Sequence, residues 1–581
     1  MFRSLLGSHD SAEVHPLDRA LHGGLGRFTR GLSPVALYMA WLDWAVHLAS
    51  YPGKQCDLVE RAMGKHARFA VYAMSHRACG PDHCVKPKAG DHRFDAPEWQ
   101  HWPFNLVHQG FLLSQEWWES ATTNVRGVQS HNEAVVHFVG RQMLDVLSPS
   151  NYLFTNPEVL RRTFEERGMN LLRGWRNFLE DQEYRYSGEG VPGRENFPVG
   201  EVLAATPGKV VYRNQLMELI QYRPATDKVH PEPVLIVPAW IMKYYILDLR
   251  PGKSLIEYLV AQGHTVFAIS WKNPGPEERD FGMDDYRRLG VMAALDAVGA
   301  IVPERKVHAL GYCLGGTLLS IAAAAMARDG DERLKTMTLL AAQIDFREPG
   351  ELDLFIDESQ LAFLEDTMWR QGYLGTDQMA GAFRLLRSQD LIWSRMVRNY
   401  LMGEREKLFD LMAWNADATR LPYRMHSEYL HRLFLHNDLV EGRYDVDGEP
   451  IHFGDIQVPI FAVGTVSDHV APWASTYKVN RFARTEVTYL LTSGGHNAGI
   501  VTRPGHPRRQ YQCHTRHPRE PFIHHDQFRR EMERHRGSWW PAWQGWLAKR
   551  SGQPVKHPAM GAPDAGYRPL ADAPGEYVLE Q

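Results

Sequence analysis

Three side chains in this sequence could together run acyl-transfer chemistry: the thiol of Cys313, the carboxylate of Asp468 and the imidazole of His496. Cys313 stands in Gly311-Tyr312-Cys313-Leu314-Gly315, between an apolar run, Val307 to Leu310, and an alanine-rich run that starts at Leu314. This reads as a strand, a sharp turn and a helix, with a nucleophile strained outward at the turn. Gly311 and Gly315 carry no Cβ, so strand and helix can approach closely around the cysteine. The position also opens a helix, where the partial positive charge of the N-terminus favours a thiolate. Taken alone, Gly-x-Cys-x-Gly fits plain glycine packing as well.

The partners come later in the chain, each just after an apolar run. Val458 to Gly464 reads as a buried strand leading into Ser467-Asp468-His469-Val470-Ala471-Pro472-Trp473. Glu486 to Leu491 reads as another, leading into Ser493-Gly494-Gly495-His496-Asn497. Nucleophile, acid and histidine in that order, each at a strand end, is the order of an α/β-hydrolase triad. Each partner has a blander reading: Asp468 also fits a cap for a helix starting near Pro472, and His496 a loop histidine. His469 competes for the role of base. Its adjacency to Asp468 suits it better to touching substrate or bracing the residues that do.

The elements that must position these groups follow from periodicity. Val210 to Tyr212, Met217 to Tyr222, Val234 to Val237 and Thr265 to Ser270 read as strands, followed by a helix near 284–301 and a strand from Met337 to Leu340. Strands alternating with helices predict a mostly parallel sheet covered by helices. Between that strand and the one at 458 lie about 110 residues of mainly helical pattern, too many for a loop. They read as a cap inserted at about 345–455, which would shield an acyl-enzyme from water. Residues 1–195 read as a mainly helical N-terminal domain and 196–581 as the catalytic domain. The first 30 residues, polar and glycine-rich, read as loose. A stripe of Tyr38, Trp41 and Trp44 reads as a docking face, with adsorption to an apolar surface as a lesser alternative. The arginine-rich stretch 503–536 reads as a solvated excursion, or else as an edge that holds the phosphates of an anionic carrier.

Composition narrows the function classes. The chain has 581 residues, 44% hydrophobic, and a net charge of −4, which argues against nucleic acid as the main partner. Five cysteines suit a reducing compartment. No secretory signal or bilayer-length apolar run is present, so a cytoplasmic protein with no transmembrane segment is expected. His76-x-x-Cys79 with His83-Cys84 looks superficially like a metal site, but its spacing fits no standard zinc pattern, and a turn around Gly80-Pro81 is the better reading. No phosphate-binding glycine loop occurs.

Longer motifs carry a resemblance. Arg93-Phe94-Asp95-Ala96-Pro97-Glu98-Trp99, Ser148-Pro149-Ser150-Asn151, Trp240-Ile241-Met242-Lys243-Tyr244-Tyr245, Ser270-Trp271-Lys272-Asn273-Pro274, Gly311 to Thr317, Trp414-Asn415, Asp468 to Trp473 and Gly537-Ser538-Trp539-Trp540-Pro541 resemble the polyhydroxyalkanoate synthases, especially the single-polypeptide kind. Position by position, the family's nucleophile, acid and base fall on Cys313, Asp468 and His496. Met242 and Asn497 depart from its usual pattern. The resemblance implies an α/β-hydrolase fold with a helical cap, a 3-hydroxyacyl-coenzyme A substrate, residence at a polyester granule and an active homodimer. In the inferred mechanism the N–H of Leu314 and one from the Trp240-Ile241 loop, that of Ile241, hold the oxyanion. Trp240, His469 and Asn497 touch substrate or brace the site. The chemistry calls for no metal or bound cofactor. A cysteine thioesterase or polyester hydrolase, or a catalytically silent granule protein, are the alternatives.

Overall fold

The computed structural model describes residues 14–75, 84–88, 90–187 and 190–581. Three of the four residues of the His76 to Cys84 motif therefore lie outside the described residues. The chain divides into two compact units, one formed by the stretch ending at Gly31 with Arg194–Met379 and Phe409–Gln581, the other by Leu32–Gly193 with Ala380–Leu408.

The first unit is built on an eleven-stranded sheet. In chain order its strands are β1 (Gly208–Arg213), β2 (Met217–Tyr222), β3 (Val234–Val237), β4 (Val266–Trp271), β5 (Val307–Tyr312), β6 (Leu334–Leu340), β7 (Ile460–Thr465), β8 (Val487–Thr492), β9 (Gln510–Arg516), β10 (Arg534–Arg536) and β11 (Ala571–Asp572). Across the sheet they run β10-β9-β8-β7-β6-β5-β3-β4-β2-β1-β11. From β4 to β8 every neighbouring pair is parallel; β1, β2, β9, β10 and β11 pair antiparallel. The central strands are buried on both faces, which is why they read as unbroken apolar runs such as Val-Leu-Ile-Val in β3. Register aligns their exits: Val237 pairs with Gly311, Tyr312 with Leu340, and Thr465 with Thr492. The segments after β3, β5, β7 and β8 therefore emerge along one edge, as the α/β-hydrolase reading requires.

Three differences from the sequence reading have physical causes. The N-terminal stretch is ordered from Pro16 to Thr29 as a helix, capped by His15 with Pro16 in its first turn. It packs on the cap helix Glu358–Trp369, where His22 Nδ1 lies 2.7 Å from Asp366 and the Arg19 guanidinium sits 3.6 Å over Trp369. Its contacts are polar and cationic, so apolar periodicity gave no sign of it. The 503–536 stretch is no mere excursion, since β9 and β10 extend the sheet and buried Arg516 bonds the carbonyls of Ala483 and Thr485. The helix near 284–301 contains a π-helical segment, Tyr286–Met292, which side-chain spacing does not reveal.

In the second unit the long helices are Pro34–Ser50, Pro52–Ser75, Phe104–Thr122, Ser130–Val146 and Met169–Ser187. Trp44 docks inside it through Nε1 to Ala121 O at 3.0 Å, while Tyr38 and Trp41 stay exposed. Residues 380–408 join this unit because Asn170 and Asn177 bond the carbonyls of Leu401 and Asn399 at 2.8 and 2.9 Å. Among the described residues no helix is long and apolar enough to cross a membrane.

Candidate active site

Cys313 occupies the turn between β5 and the helix Leu314–Asp329 with φ 52° and ψ −124°, a conformation that L side chains rarely adopt. The glycines around it are needed for contact. A Cβ on Gly311 would lie 2.3 Å from Gly316 Cα, and one on Gly315 would lie 2.1 Å from Val237 O. The second contact seats the start of the helix Leu314–Asp329 against the exit of β3. It brings the first-turn N–H of Leu314, which helix geometry leaves without an intrahelical acceptor, beside the segment leading to Trp240 and Ile241.

Asp468 follows β7 and serves two purposes. Its Oδ1 accepts the N–H groups of Val470 and Ala471 at 3.0 and 2.9 Å, which makes it a turn-capping residue. Its Oδ2 meets His496 Nδ1 at 2.8 Å and accepts the Thr465 hydroxyl at 2.9 Å. One carboxylate oxygen of Asp468 thus caps the turn while the other contacts His496. Burial pushes the Asp468 carboxyl up, but the His496 charge and hydrogen bond, with Ala471 N–H and the Thr465 hydroxyl, outweigh it and hold the group below its usual range.

His496 follows β8, and its Nδ1 engagement leaves Nε2 for the thiol. Burial pulls its pKa down. The Asp468 carboxylate and the charge of Cys313, with a hydrogen bond to each, overcome that and raise it well above the ordinary value. The structure therefore brings Cys313, His496 and Asp468 into one chain of contacts. The loop carrying His496 is held from behind, as Arg509 donates to Ser493 O at 3.1 Å and Ala498 O at 3.0 Å. Trp539 and Trp540 donate to Gly499 O and Ile500 O at 3.1 and 2.9 Å. Arg509, in a stretch that the sequence reads as a solvated excursion or a phosphate-holding edge, instead holds this loop.

The remaining residues distribute unevenly. Asn497 Oδ1 accepts the Tyr312 hydroxyl at 2.5 Å, and the Tyr312 ring lies 5.6 Å from the His496 ring, so Asn497 ties the His496 loop to the residue before Cys313. Trp240 is buried in the core, 5.4 Å from the Tyr286 ring and 6.3 Å from that of Tyr429. Ile241 is half-buried against the same core. His469 is half-buried at the end of the acid loop, and its carbonyl faces Gly350. Tyr429, on the cap helix Tyr423–Tyr429, was missed: burial first, then the charge of Cys313, drive its phenol pKa far up. Only its i, i+3 spacing from His426 hinted at a shared face. Among the described residues one surface group, His524, His525 and Asp526, gathers three possible metal-ligand atoms within 4.8 Å of one another.

Comparison with known proteins identifies the family. Residues 90–259 match the family model described as poly-beta-hydroxybutyrate polymerase (PhaC) N-terminus, 12–54 match that of poly-beta-hydroxybutyrate polymerase N terminal, and 232–501 match the alpha/beta hydrolase fold. The chain is 42% identical over 500 residues to a poly(3-hydroxyalkanoate) polymerase from Methylorubrum extorquens, covering 85% of this chain and 81% of that one. It is 38% identical to the poly(3-hydroxyalkanoate) polymerase subunit PhaC of Rhizobium etli, over 84% of this chain and 77% of the other. To the corresponding subunit of Cupriavidus necator it is 35% identical, over 92% and 90%.

Proposed function

This chain belongs to the poly(3-hydroxyalkanoate) polymerase family, and we propose that it lengthens its polyester on Cys313, with His496 as base and Asp468 as the group that orients it. The sulfur attacks the carbonyl carbon of a 3-hydroxyacyl-coenzyme A. The oxyanion that forms takes hydrogen bonds from the N–H groups of Leu314 and Ile241, each worth about 2.7–4 kcal/mol in sites of this kind. The carbon–sulfur bond to coenzyme A then breaks, and the proton that His496 took from Cys313 leaves with the coenzyme A thiol. A thiol suits the step because exchange between thioesters is nearly isoenergetic and leaves the acyl group activated.

In the second half His496 takes the proton of the 3-hydroxyl of an incoming acyl-coenzyme A. That oxygen attacks the chain's carbonyl on Cys313, an ester bond forms, and the Cys313 sulfur departs and regains the proton. The lengthened chain, now on coenzyme A, returns to Cys313 with release of coenzyme A. The observation that supports this reading best is the 2.8 Å contact of His496 Nδ1 with Asp468, which turns the other ring nitrogen to the thiol. The insoluble product keeps the enzyme at the surface of a cytoplasmic granule, where two copies work as a homodimer.

Incubation of the purified chain with 3-hydroxybutyryl-coenzyme A tests the proposal. Polymer with stoichiometric free coenzyme A is expected. Free 3-hydroxybutyrate instead would make it a thioesterase, and no coenzyme A release would make it a silent granule protein.

A further inference from the structure

The loop after β3 is fastened to a segment of the cap along its length. Trp414 Nε1 donates to Lys243 O at 2.8 Å, and Met242 forms an antiparallel bridge with Ala418. The Tyr245 hydroxyl donates to Asp417 Oδ2 at 2.6 Å, and Arg194 pairs with the other oxygen of Asp417 at 3.1 Å. Thr419 Oγ1 donates to Trp240 O at 2.7 Å. Trp414, Asp417 and Thr419 are all buried, Thr419 with 2% of its surface exposed.

The Thr419 contact bears on the chemistry through one fact of covalent geometry. The carbonyl of Trp240 and the N–H of Ile241 belong to the same planar trans peptide unit, so they point in opposite directions. A grip on Trp240 O therefore fixes where the Ile241 N–H points. The neighbouring bridge leaves that N–H free. An antiparallel bridge at Met242 engages either Met242's own N–H and C=O, or the Ile241 carbonyl and the Lys243 N–H, and neither pattern uses the Ile241 donor.

We infer that Thr419 is a positioning residue for acyl transfer: its hydroxyl, supplied by the cap, orients the Trp240–Ile241 peptide so that the Ile241 N–H completes the oxyanion site opposite Leu314. The inference rests on the proposed role of Cys313. It makes the cap a structural part of the oxyanion site in addition to a cover over it, so that a cap displaced at 414–420 leaves Cys313, His496 and Asp468 assembled but one donor short.

The test is the rate at which Cys313 becomes acylated by 3-hydroxybutyryl-coenzyme A, followed by intact-protein and peptide mass spectrometry on the full chain. Thr419→Val keeps the shape and removes the donor. It should slow acylation about 10- to 100-fold, less than the 10²- to 10³-fold of losing an oxyanion donor outright. KM should change less than about threefold, because the interaction grows only as charge develops. Thr419→Ser restores the hydroxyl and should recover most of the rate, which a purely structural role for the threonine methyl would not allow. Should Thr419→Val fail to fold, Thr419→Ala carries the same measurement. Wild-type acylation rates in a folded variant without the hydroxyl overturn the inference while the Cys313 reading stands. Wild-type protein that turns over without label on Cys313 defeats that reading, and the inference with it.

Discussion

Both ends of the parallel sheet hold histidines, and they treat them in opposite ways. At the exit edge His496 has a carboxylate 2.8 Å away and is pushed toward holding a proton. At the entry edge His264 and His308 are buried more deeply, with 0% and 1% of their surface exposed, but among the described residues no carboxylate reaches them. His308 bonds the hydroxyls of Thr336 and Ser551 at 2.8 and 3.0 Å. His264 stacks on His230 with ring centroids 4.5 Å apart, and neither of its ring nitrogens meets a hydrogen-bond partner among the described residues. Burial first, then neighbouring histidines or cations, pushes both down to about 3. Burial alone therefore lowers a histidine's pKa. The carboxylate supplied by the turn after β7 reverses the sign of the shift.

The largest effect that separates the two ends is expected from Cys313→Ala, which should abolish coenzyme A release and leave thermal unfolding near that of the wild type. Substantial residual turnover would remove the exit edge from the chemistry. Next comes Asp468→Asn, which keeps the shape of the turn but loses the charge that sets the tautomer of His496. By analogy with orienting carboxylates elsewhere, turnover should fall about 10³- to 10⁴-fold. A loss of only a few-fold would mean that the capping role of Asp468 is its main one.

The entry edge makes its own prediction, in acid. Because the folded-state pKa values of His264 and His308 lie near 3, below the ordinary value of 6.5, the unfolded chain binds more protons between those limits. Stability should therefore fall as pH drops from 6.5 toward 3, by about 1.4 kcal/mol per pH unit for each histidine. His264→Leu should remove one share of that slope, seen as a flatter fall of the unfolding midpoint between pH 6.5 and 4. Parallel pH profiles in variant and wild type would show that the entry-edge histidines carry no such cost.

The two edges were also unequally legible in the sequence. The exit edge was readable because its geometry is local: Gly311, Cys313 and Gly315 lie in one pentapeptide, and Asp468 and His496 each follow an apolar run that stops. The strands were readable for the same reason, since burial on both faces leaves runs such as Val234 to Val237. What could not be read depends on distant pairs. Nothing in the neighbours of Thr419 says that its hydroxyl meets Trp240 O, about 180 positions earlier in the chain. Arg509 looked like one of many surface arginines until the His496 loop closed on it. The N-terminal helix is held by His22 and Arg19, polar contacts with no periodicity to betray them. The histidines of the entry edge come from three separate segments, and only the sheet brings them together.

The smallest effect expected at the exit edge concerns the tie between its two loops. The Tyr312 hydroxyl, immediately before Cys313, donates to Asn497 Oδ1, immediately after His496. Asn497→Val removes the acceptor and leaves a buried phenol without a partner, which costs about 1–3 kcal/mol. Part of that should appear as lost stability and part as a looser approach of His496 to Cys313, lowering kcat about 3- to 10-fold. Tyr312→Phe in the Asn497→Val background removes the orphaned hydroxyl as well, and replacing both partners by apolar groups is close to neutral for stability. The double variant should therefore recover the unfolding midpoint. Its kcat should recover only in part if the bond holds the two loops in register, and fully if the orphaned hydroxyl alone did the damage. A double variant as slow and as unstable as Asn497→Val would show that Asn497 acts through a contact other than Tyr312.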